Sequence, residues 1–354
     1  MDGVYAALAR VPFFENVRQE AIKLERLGGA LTNISYKVTI GRAAYVLRLA
    51  GEGTSDYIDR AVEEYNARVA TAAGINVEVV YFDARDGTMV TRFVEGVSMN
   101  AEEGFGRDPG ALVRAGRALK RVHRLGRVFR SRFDVFAAID DYLGLLPEQQ
   151  RPLPEDYYEV RRKARTVRRA LEASPAPLVP CHNDPWPGNL LDANGRIYLI
   201  DWEYSGMNDP MWDLADLSVE AGFGPEQDRT MIETYHNGTA SPAIYSRLEI
   251  YKAMSDLHWS LWGFVQHAKG NPAQNFWSYG LERLGRSKAR MSSADFSRHL
   301  GVVRAGGGPL RSVPIWATRR ADSPHWLSAL WVSTYDFCAG GVVACRSAAR
   351  LPVW

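Results

Sequence analysis

Residues 22–94 constrain the fold of this chain most, because they place one helical run among five β-prone runs. Ile22–Leu27 alternates apolar and charged residues, as a half-buried strand does. The other β-prone runs form two hairpin patterns around turns that contain glycine. Apolar residues at helical spacing between Ile58 and Val69 mark the helix. The order predicts a five-stranded antiparallel sheet with one helix after the third strand. The hairpin runs are Thr32–Ile40 with Ala44–Leu49, and Val77–Phe82 with Thr88–Val94.

A change from strand to helical pattern at Glu95-Gly96 predicts two lobes. We expect an N-terminal lobe of residues 1–95 and a mostly helical lobe of residues 96–298. Residues 299–354 show neither the helical nor the strand period, and we expect an atypical C-terminal tail there. The predicted helical runs are Ala111–Leu125, Glu155–Ala173, Met211–Glu220, Glu226–His236, Ile244–Ala268 and Phe276–Arg290.

The balance of charges and the few cysteines limit the classes of function. Lys plus Arg is 43 and Asp plus Glu is 41, so the net charge of +2 gives no argument for a nucleic-acid partner. There is no apolar run of about 18 residues, so we expect no stable membrane insertion. Residues 1–14 lack the pattern of a signal peptide, and the three cysteines form no CxxC pair. These features predict a cytoplasmic protein with reduced cysteines. A homodimer is left open.

The strongest chemical signal is the H-x-D-x-x-x-x-N run from His182 to Asn189, which a hairpin pattern separates from Ile200-Asp201. Phosphoryl transfer needs a carboxylate to orient the attacking hydroxyl and accept its proton, and Asp184 suits that role. It also needs oxygen ligands for Mg²⁺, which Asn189 and Asp201 can supply. His182 can hold the loop rigid. The alternative is that Asp184 caps a turn and Asp201 ends a strand. The same spacing in protein kinases, together with the preceding sheet pattern, favours catalysis.

These motifs resemble those of the aminoglycoside-phosphotransferase and choline-kinase superfamily, which has a protein-kinase-like fold. The segment Ile200–Ser205, which reads IDWEYS, is similar to the equivalent segment of choline/ethanolamine kinases. The resemblance covers roughly residues 20–295. It implies an α+β fold of two lobes, with ATP and Mg²⁺ bound between them.

A glycine pair between the first two predicted strands is a candidate phosphate loop. Glycines let a backbone approach a phosphate closely, and exposed N–H groups can cradle it. Two glycines between strands are more often a plain hairpin, but this pair occupies the position of the family's phosphate loop. The resemblance implies that Gly28, Gly29, Thr32 and Asn33 bind the nucleotide.

Further nucleotide contacts are implied on the third strand, on the helix and at the end of the last strand. Protein kinases carry a phosphate-contacting lysine on the third strand, and choline kinases are similar with an arginine, here Arg48. Glu63 is the expected ion-pair partner, and the adjacent Glu64 stays an alternative to it. By resemblance, backbone groups near Arg92 and Val94 form a hinge that pairs with adenine.

Aromatic residues late in the chain suggest a pocket for a cation. Choline has a permanent cation without N–H donors, so its pocket should offer aromatic faces and a carboxylate. Trp259 and Trp262 lie three apart on one predicted helix, a spacing that more often marks core packing, and Tyr279 lies on the next. With Glu220 they match the choline-kinase pattern for binding the acceptor. The family is rich in aromatic residues after this glutamate, whereas here Phe223 is the candidate wall.

Three further polar residues receive structural roles. Asp213 resembles a family position that ties the catalytic loop in place. Asp216 lies three residues further on, and both aspartates are candidate metal or substrate ligands, but a structural role is preferred for each. His123 is interpreted as a packed helix histidine.

The resemblance implies ATP-dependent phosphorylation of the hydroxyl of choline or a close amino-alcohol, giving phosphocholine and ADP. Ethanolamine, thiamine and an aminoglycoside are the alternative acceptors. An aminoglycoside carries several positive charges and should select a pocket rich in acidic residues, so the aromatic set favours a compact alkylammonium. A non-catalytic member that binds only a nucleotide or a cation is a second alternative. The intact base and metal positions argue against it.

Overall fold

The structure of this chain is a computed structural model that describes residues 2–29, 31–99, 104–146 and 153–306. Most of the predicted atypical tail, residues 307–354, lies outside the described residues, as does Ala30 of the predicted phosphate loop. Within the described ranges, every helix is too short or too polar to span a bilayer.

The N-terminal sheet has the five antiparallel strands that the sequence predicts. The strands are β1 (Ile22–Leu27), β2 (Ile34–Ile40), β3 (Ala43–Leu49), β4 (Val79–Asp83) and β5 (Thr88–Arg92). Their order across the sheet is β1-β2-β3-β5-β4, and all neighbours pair antiparallel. Strand β3, which carries Arg48, is therefore central, and the other strands hold it on both sides.

A helix follows the third strand, as predicted. Helix α2 (Arg60–Ala72) begins at a cap where the Asp59 carboxylate accepts hydrogen bonds from the Ala61 and Val62 N–H groups at 3.0 and 3.1 Å. Gly74, just beyond its end, has φ +64°, a conformation in which glycine carries no steric cost. The cap and the stop fix which face of α2 is buried, and Glu63 lies on that face.

A short helix that the sequence pattern did not reveal covers one face of the sheet. Helix α1 (Asp2–Ala9) buries Val4 and Leu8 in an apolar cluster with Tyr45 and Leu47 of β3. The sheet therefore has its own small core, separate from the main core of the helical lobe.

Two small sheets frame the predicted catalytic residues. One pairs β7 (Val179–Cys181) with β10 (Gly206–Asn208), and the other has the order β6-β8-β9. The strands of the second are β6 (Val97–Ser98), β8 (Leu190–Ala193) and β9 (Arg196–Leu199). The H-x-D-x-x-x-x-N run lies between β7 and β8, and Asp201 follows β9. Because β6 pairs with β8, the strand that leaves the N-terminal lobe is joined to the catalytic segment.

All six predicted helical runs are helices, and α4 is an addition to them. The helices are α3 (Pro109–His123), α4 (Val135–Leu145), α5 (Tyr157–Ala173), α6 (Pro210–Glu220), α7 (Pro225–His236), α8 (Pro242–Ala268) and α9 (Phe276–Ser292). Helix α8 is central and packs against α4, α6 and α9. Nearly every residue from Leu248 to Gln266 is buried, including polar ones such as Lys252 and Asp256, so this helix forms the centre of the lobe.

Helix α10 (Ala294–Arg304) extends past the predicted end of the helical lobe at residue 298. It buries Phe296, Leu300 and Val303, and it packs against α5 and α8. The first residues of the predicted tail, 299–304, therefore belong to a packed helix. The sequence did not reveal this because the helix has only 11 residues, and so short an amphipathic run gives a weak periodic signal.

Helix α10 should contribute to stability through its apolar face. We expect Leu300→Ala to lower the free energy of unfolding by about 2–3 kcal/mol, near the low end for a buried leucine. The adjacent Gly301 is the matched control: an added Cβ there meets no atom within 4 Å, so Gly301→Ala should be neutral or stabilise by up to about 1 kcal/mol. Urea unfolding of both variants measures this, and equal stabilities would contradict the packing of α10.

Candidate active site

The predicted catalytic loop, residues 182–189, is anchored at its start by one buried carboxylate. Asp213 accepts hydrogen bonds from the backbone N–H groups of His182 and Asn183, both at 2.8 Å. The ring of His123 donates from Nε2 to the same carboxylate at 2.9 Å. The predicted tie between Asp213 and the loop is therefore present as a contact. His123 is a packed helix histidine, as expected, and it also orients Asp213.

The side chains of the loop fix its middle. His182 donates from Nε2 to the carbonyl of Ile200 at 2.9 Å, which links the loop to the segment that ends at Asp201. Asn183 adopts φ +67°, and the Trp212 indole donates to its carbonyl at 3.1 Å. A left-handed asparagine here is one of four such non-glycine residues among the described ranges, and Asp201 is another. The backbone is therefore left-handed both next to Asp184, at Asn183, and at Asp201.

Asp184 faces a large cavity and is held by Asn189. The Asn189 amide nitrogen donates to the Asp184 backbone carbonyl at 3.0 Å and to its carboxylate at 3.2 Å. Burial raises the pKa of the Asp184 carboxyl well above its ordinary value, and the nearby carboxylates of Asp216 and Glu220 add to the effect. A site with this much negative charge attracts cations.

A buried ion cluster, formed by Arg48, Arg60, Glu63, Asp201 and Glu203, joins the N-terminal sheet to the helical lobe. The predicted ion pair is present, with Arg48 Nη1 at 2.5 Å from Glu63 Oε1. The same nitrogen lies 3.0 Å from Asp201 Oδ1. Arg60 lies 2.6 Å from Glu63 and 3.0 Å from Glu203. Two arginines thus face three carboxylates, an excess of one negative charge when every group is ionised.

Of the two candidate partners of Arg48, Glu63 forms the ion pair and Glu64 does not. Glu63 is buried in the ion cluster, whereas Glu64 points outward and pairs with Arg68 at 2.9 Å.

Burial, together with the charge of Asp201, raises the pKa of the Glu203 carboxyl. Arg60 and Glu203 were not predicted as site residues. The available signal for Glu203 was its position in the IDWE segment, two residues after the predicted metal ligand Asp201.

The predicted phosphate loop reaches toward the ion cluster. Asn33 donates from its amide to Asp201 at 3.3 Å and to Glu203 at 3.4 Å. Gly28, Gly29 and Thr32 line the same cavity as Asp184. Asn271, beyond the end of α8, donates to the carbonyl of Leu31 at 3.1 Å. The loop is therefore held from the helical lobe as well as from its own strands.

The donor set around Asp201 fits Mg²⁺. Carboxylate oxygens of Glu63, Asp201 and Glu203 lie within 4.8 Å of one another. The nitrogen of the Asn189 amide is engaged by Asp184, so only its oxygen would be available to a metal ion. Oxygen ligands with excess negative charge are those that Mg²⁺ prefers.

Backbone bonds at the predicted hinge restrict which groups are free to pair with a base. The Arg92 N–H donates to the Glu78 carbonyl at 2.8 Å, and the Phe93 N–H donates to the Ala44 carbonyl at 3.0 Å. Arg92 and Val94 both line the cavity.

An aromatic pocket, formed by Tyr204, Trp259, Trp262, Tyr279 and the carboxylate of Glu220, opens into the cavity of about 750 Å³ that also contains Asp184. The ring centroids of Trp259 and Trp262 are 5.9 Å apart at 85°, and those of Trp262 and Tyr279 are 5.9 Å apart at 76°. Tyr204, which was not predicted, lies 5.5 Å from Trp259 at 86°. The rings thus meet nearly at right angles and form walls rather than a stack.

Two details of the aromatic pocket differ from the sequence expectation. Glu220 forms an ion pair with Arg283, so its charge is partly balanced before any ligand binds. Phe223 packs edge-on against Phe105, with centroids 5.0 Å apart, and does not line the cavity. The expectation that Phe223 supplies a wall is wrong, because the chain turns away after α6, and Tyr204 takes that place.

A family model described as the phosphotransferase enzyme family matches residues 23–251. This match spans the sheet, the ion cluster, the predicted catalytic loop and the first third of α8. The chain belongs to the phosphotransferase enzyme family. The predicted family and the protein-kinase-like α+β fold are both confirmed.

Several proteins similar to this phosphotransferase cover most of its length. Protein LicA of Haemophilus influenzae is 31% identical over 277 residues, which is 77% of this chain and 80% of LicA. A choline/ethanolamine kinase family protein from Mesorhizobium loti has a crystal structure with a TM-score of 0.76 at 45% identity, covering 86% of this chain and 99% of its own. Choline kinase LicA from Streptococcus pneumoniae and LicA in complex with AMP each reach a TM-score of 0.68 at 28% identity. They cover 79% and 80% of this chain, and 97% and 96% of their own.

Neutralising Glu63 should weaken nucleotide use by this phosphotransferase, whereas neutralising Glu64 should not. Glu63→Gln keeps the side-chain shape but removes the charge that holds Arg48 and Arg60, and breaking a buried ion pair is costly. We expect the KM for ATP to rise at least about tenfold, equal to ~1.4 kcal/mol. Glu64→Gln should stay within about twofold, since exposed pairs contribute little. Steady-state kinetics with varied ATP measures both, and equal effects would contradict the assignment.

Proposed function

We propose that this phosphotransferase transfers the γ-phosphate of ATP to the hydroxyl of choline, or of a close amino-alcohol such as ethanolamine, giving phosphocholine and ADP. The observation that carries the proposal is the aromatic pocket, which opens into the same cavity as Asp184 and the ion cluster. A cation held there would present a hydroxyl on a short chain to Asp184. The names of similar proteins, a choline kinase and a choline/ethanolamine kinase family protein, support the same acceptor class.

The phosphate chain of ATP is assigned to the N-terminal lobe, residues 1–95. Glycine backbone at Gly28 and Gly29 can approach the phosphates, and Arg48 keeps its charge at any working pH and offers a fork of donors to their oxygens. Glu63 holds that fork in place. The AMP complex of a LicA protein supports nucleotide binding in this fold.

Adenine is assigned to the hinge at residues 92–94. Because the N–H groups of Arg92 and Phe93 already donate to backbone carbonyls, the base would use the Arg92 carbonyl and the Val94 N–H. Such pairing is independent of side-chain identity.

Asp184 is assigned as the group that orients the acceptor hydroxyl and takes its proton. Asn189 holds its carboxylate from one side, and the Asp213 contacts keep the loop backbone rigid. In phosphoryl transfer most of the catalytic effect comes from positioning and electrostatic stabilisation, which this rigid arrangement can supply.

Mg²⁺ would be held by Asn189 and Asp201, with Glu203 as a further oxygen donor. When bound, it would neutralise negative charge on the transferred phosphate and the leaving oxygen. Arg48 lies 3.0 Å from Asp201, so the guanidinium and the ion would share one carboxylate. The excess negative charge of the ion cluster suits that arrangement.

The acceptor is assigned to the helical lobe, residues 96–298. Rings that meet nearly at right angles enclose a compact cation on several sides, and each ring face attracts it. Choline cannot donate an N–H bond, so this attraction and the Glu220 charge would hold it. Ethanolamine is the second candidate, because Glu220 could accept its N–H bonds directly. An aminoglycoside carries several positive charges and would need several unpaired carboxylates. The aromatic pocket does not offer them, because its Glu220 is already paired with Arg283.

Removing a ring from the aromatic pocket should weaken acceptor binding alone. We expect Trp262→Leu to raise the KM for choline about tenfold, or ~1.4 kcal/mol, which lies within the range for a desolvated cation–π contact. The KM for ATP should stay within about twofold. Trp277→Leu is the matched control, because Trp277 packs against Phe264 and His267 outside the cavity. Steady-state kinetics with varied choline tests the proposal, and an unchanged KM for choline in Trp262→Leu would refute it.

A further inference from the structure

Asp216 is a buried carboxylate next to the aromatic pocket that the proposed reaction leaves without a role. It lies on α6, one turn before Glu220, and it is fully buried. Its Oδ1 accepts two hydrogen bonds, from the Trp259 indole N–H at 2.7 Å and from the Ser255 hydroxyl at 2.6 Å. Its Oδ2 has no hydrogen-bond partner within the described part of the chain.

A carboxylate in this position is costly for a purely structural core. A buried polar atom without a partner destabilises by about 1–3 kcal/mol, and more when the group is charged. A neutral side-chain acceptor could also accept the bonds from Trp259 and Ser255. Burial raises the pKa of the Asp216 carboxyl well above its ordinary value, and the charge of Glu220 adds to the effect. The charged groups that act on it are the carboxylates of Asp184 and Glu220 and the guanidinium of Arg283.

Trp259 is the element through which Asp216 can act on a ligand. Its ring lines the cavity, and it meets Tyr204 and Trp262 at 86° and 85°. The indole has one N–H donor, and Asp216 engages it. This hydrogen bond fixes the rotation of the ring, because turning the indole away would leave a buried donor without a partner.

We propose that Asp216 is a positioning residue of the aromatic pocket, whose hydrogen bond to Trp259 sets the ring face against which a cationic acceptor packs. The inference rests on the proposed function for the identity of the acceptor. Asp216 does not line the cavity, so it acts through the indole and touches neither the hydroxyl nor the phosphate. Its removal should therefore change acceptor binding more than turnover.

Two substitutions at Asp216 change the hydrogen bond to Trp259 to different degrees, one removing it and one weakening it. Asp216→Ala removes the acceptor, and we expect the KM for choline to rise about tenfold with kcat within about threefold. Asp216→Asn keeps a neutral acceptor and should raise the KM by about threefold, a partial rescue. Ser255→Ala is the matched control, since it removes the other bond to the same oxygen but leaves the indole bond in place. It should change the KM by less than twofold.

A double-mutant cycle separates the indole bond from packing. Trp259→Phe keeps an aromatic ring but removes the N–H, so it should raise the KM for choline by an amount similar to Asp216→Ala. The two changes act on one interaction, so the double variant should be no worse than the poorer single variant. Independent, multiplying effects would overturn the proposal, as would an unchanged KM for choline in Asp216→Ala. A KM for ATP that rises in parallel with that for choline would also overturn it, because that result indicates a general loss of structure.

A binding measurement keeps this test distinct from that of the proposed function. Absence of choline and ethanolamine phosphorylation by the wild-type protein would refute the proposed function alone. Calorimetric titration with tetramethylammonium then measures the affinity of the aromatic pocket for a cation, without catalysis. Weaker binding by Asp216→Ala than by the wild type and Ser255→Ala supports the role of Asp216. Equal affinities, or no binding by the wild type, overturn it.

Discussion

The contact of Arg48 with both Glu63 and Asp201 is the interaction on which the rest of the site depends. The charge of a buried guanidinium must be compensated, since an unpaired charge in the interior is strongly destabilising. Its partners come from α2 and from the segment after β9, so the sheet and the helical lobe meet in the arrangement that satisfies it. The cavity between these parts follows from that pairing. Arg60 and Glu203 extend the network and leave it with an excess of negative charge, which fits a site for Mg²⁺ and phosphate.

A second buried carboxylate, that of Asp213, holds the predicted catalytic loop in place, as the Glu63 carboxylate holds Arg48. It takes two backbone N–H groups that would otherwise lack partners, and His123 orients it from α3. The loop can therefore hold Asn183 in a left-handed conformation and direct Asp184 into the cavity. Two parts of the cavity differ in chemical character: the ion cluster with the predicted phosphate loop suits a metal ion and phosphates, and the aromatic pocket suits a cation.

The sequence revealed those parts of the fold and site that have local patterns. The hairpin turns and the helix after the third strand predicted the sheet, and the spacing of Asp184, Asn189 and Asp201 predicted the catalytic segment. What it missed depends on contacts between distant residues. Arg60 and Glu203 are 143 positions apart, and Tyr204 and Trp259 meet only when α8 packs beside the segment between β9 and β10. Phe223 was assigned to the wrong surroundings for the same reason. Helices α1 and α10 were missed because short amphipathic runs give a weak periodic signal.

The central claim is that one cavity combines phosphoryl transfer with selection of a cationic alcohol. Phosphorylation of four alcohols under identical Mg·ATP concentrations tests it most directly: choline, ethanolamine, kanamycin, and 3,3-dimethylbutanol, in which a carbon replaces the choline nitrogen. Asp184→Ala serves as the chemical blank. The account predicts phosphocholine as the best product, a weaker signal with ethanolamine, and little or none with the neutral isostere, the aminoglycoside or the variant. Equal phosphorylation of choline and its neutral isostere, or substantial turnover by Asp184→Ala, would contradict it.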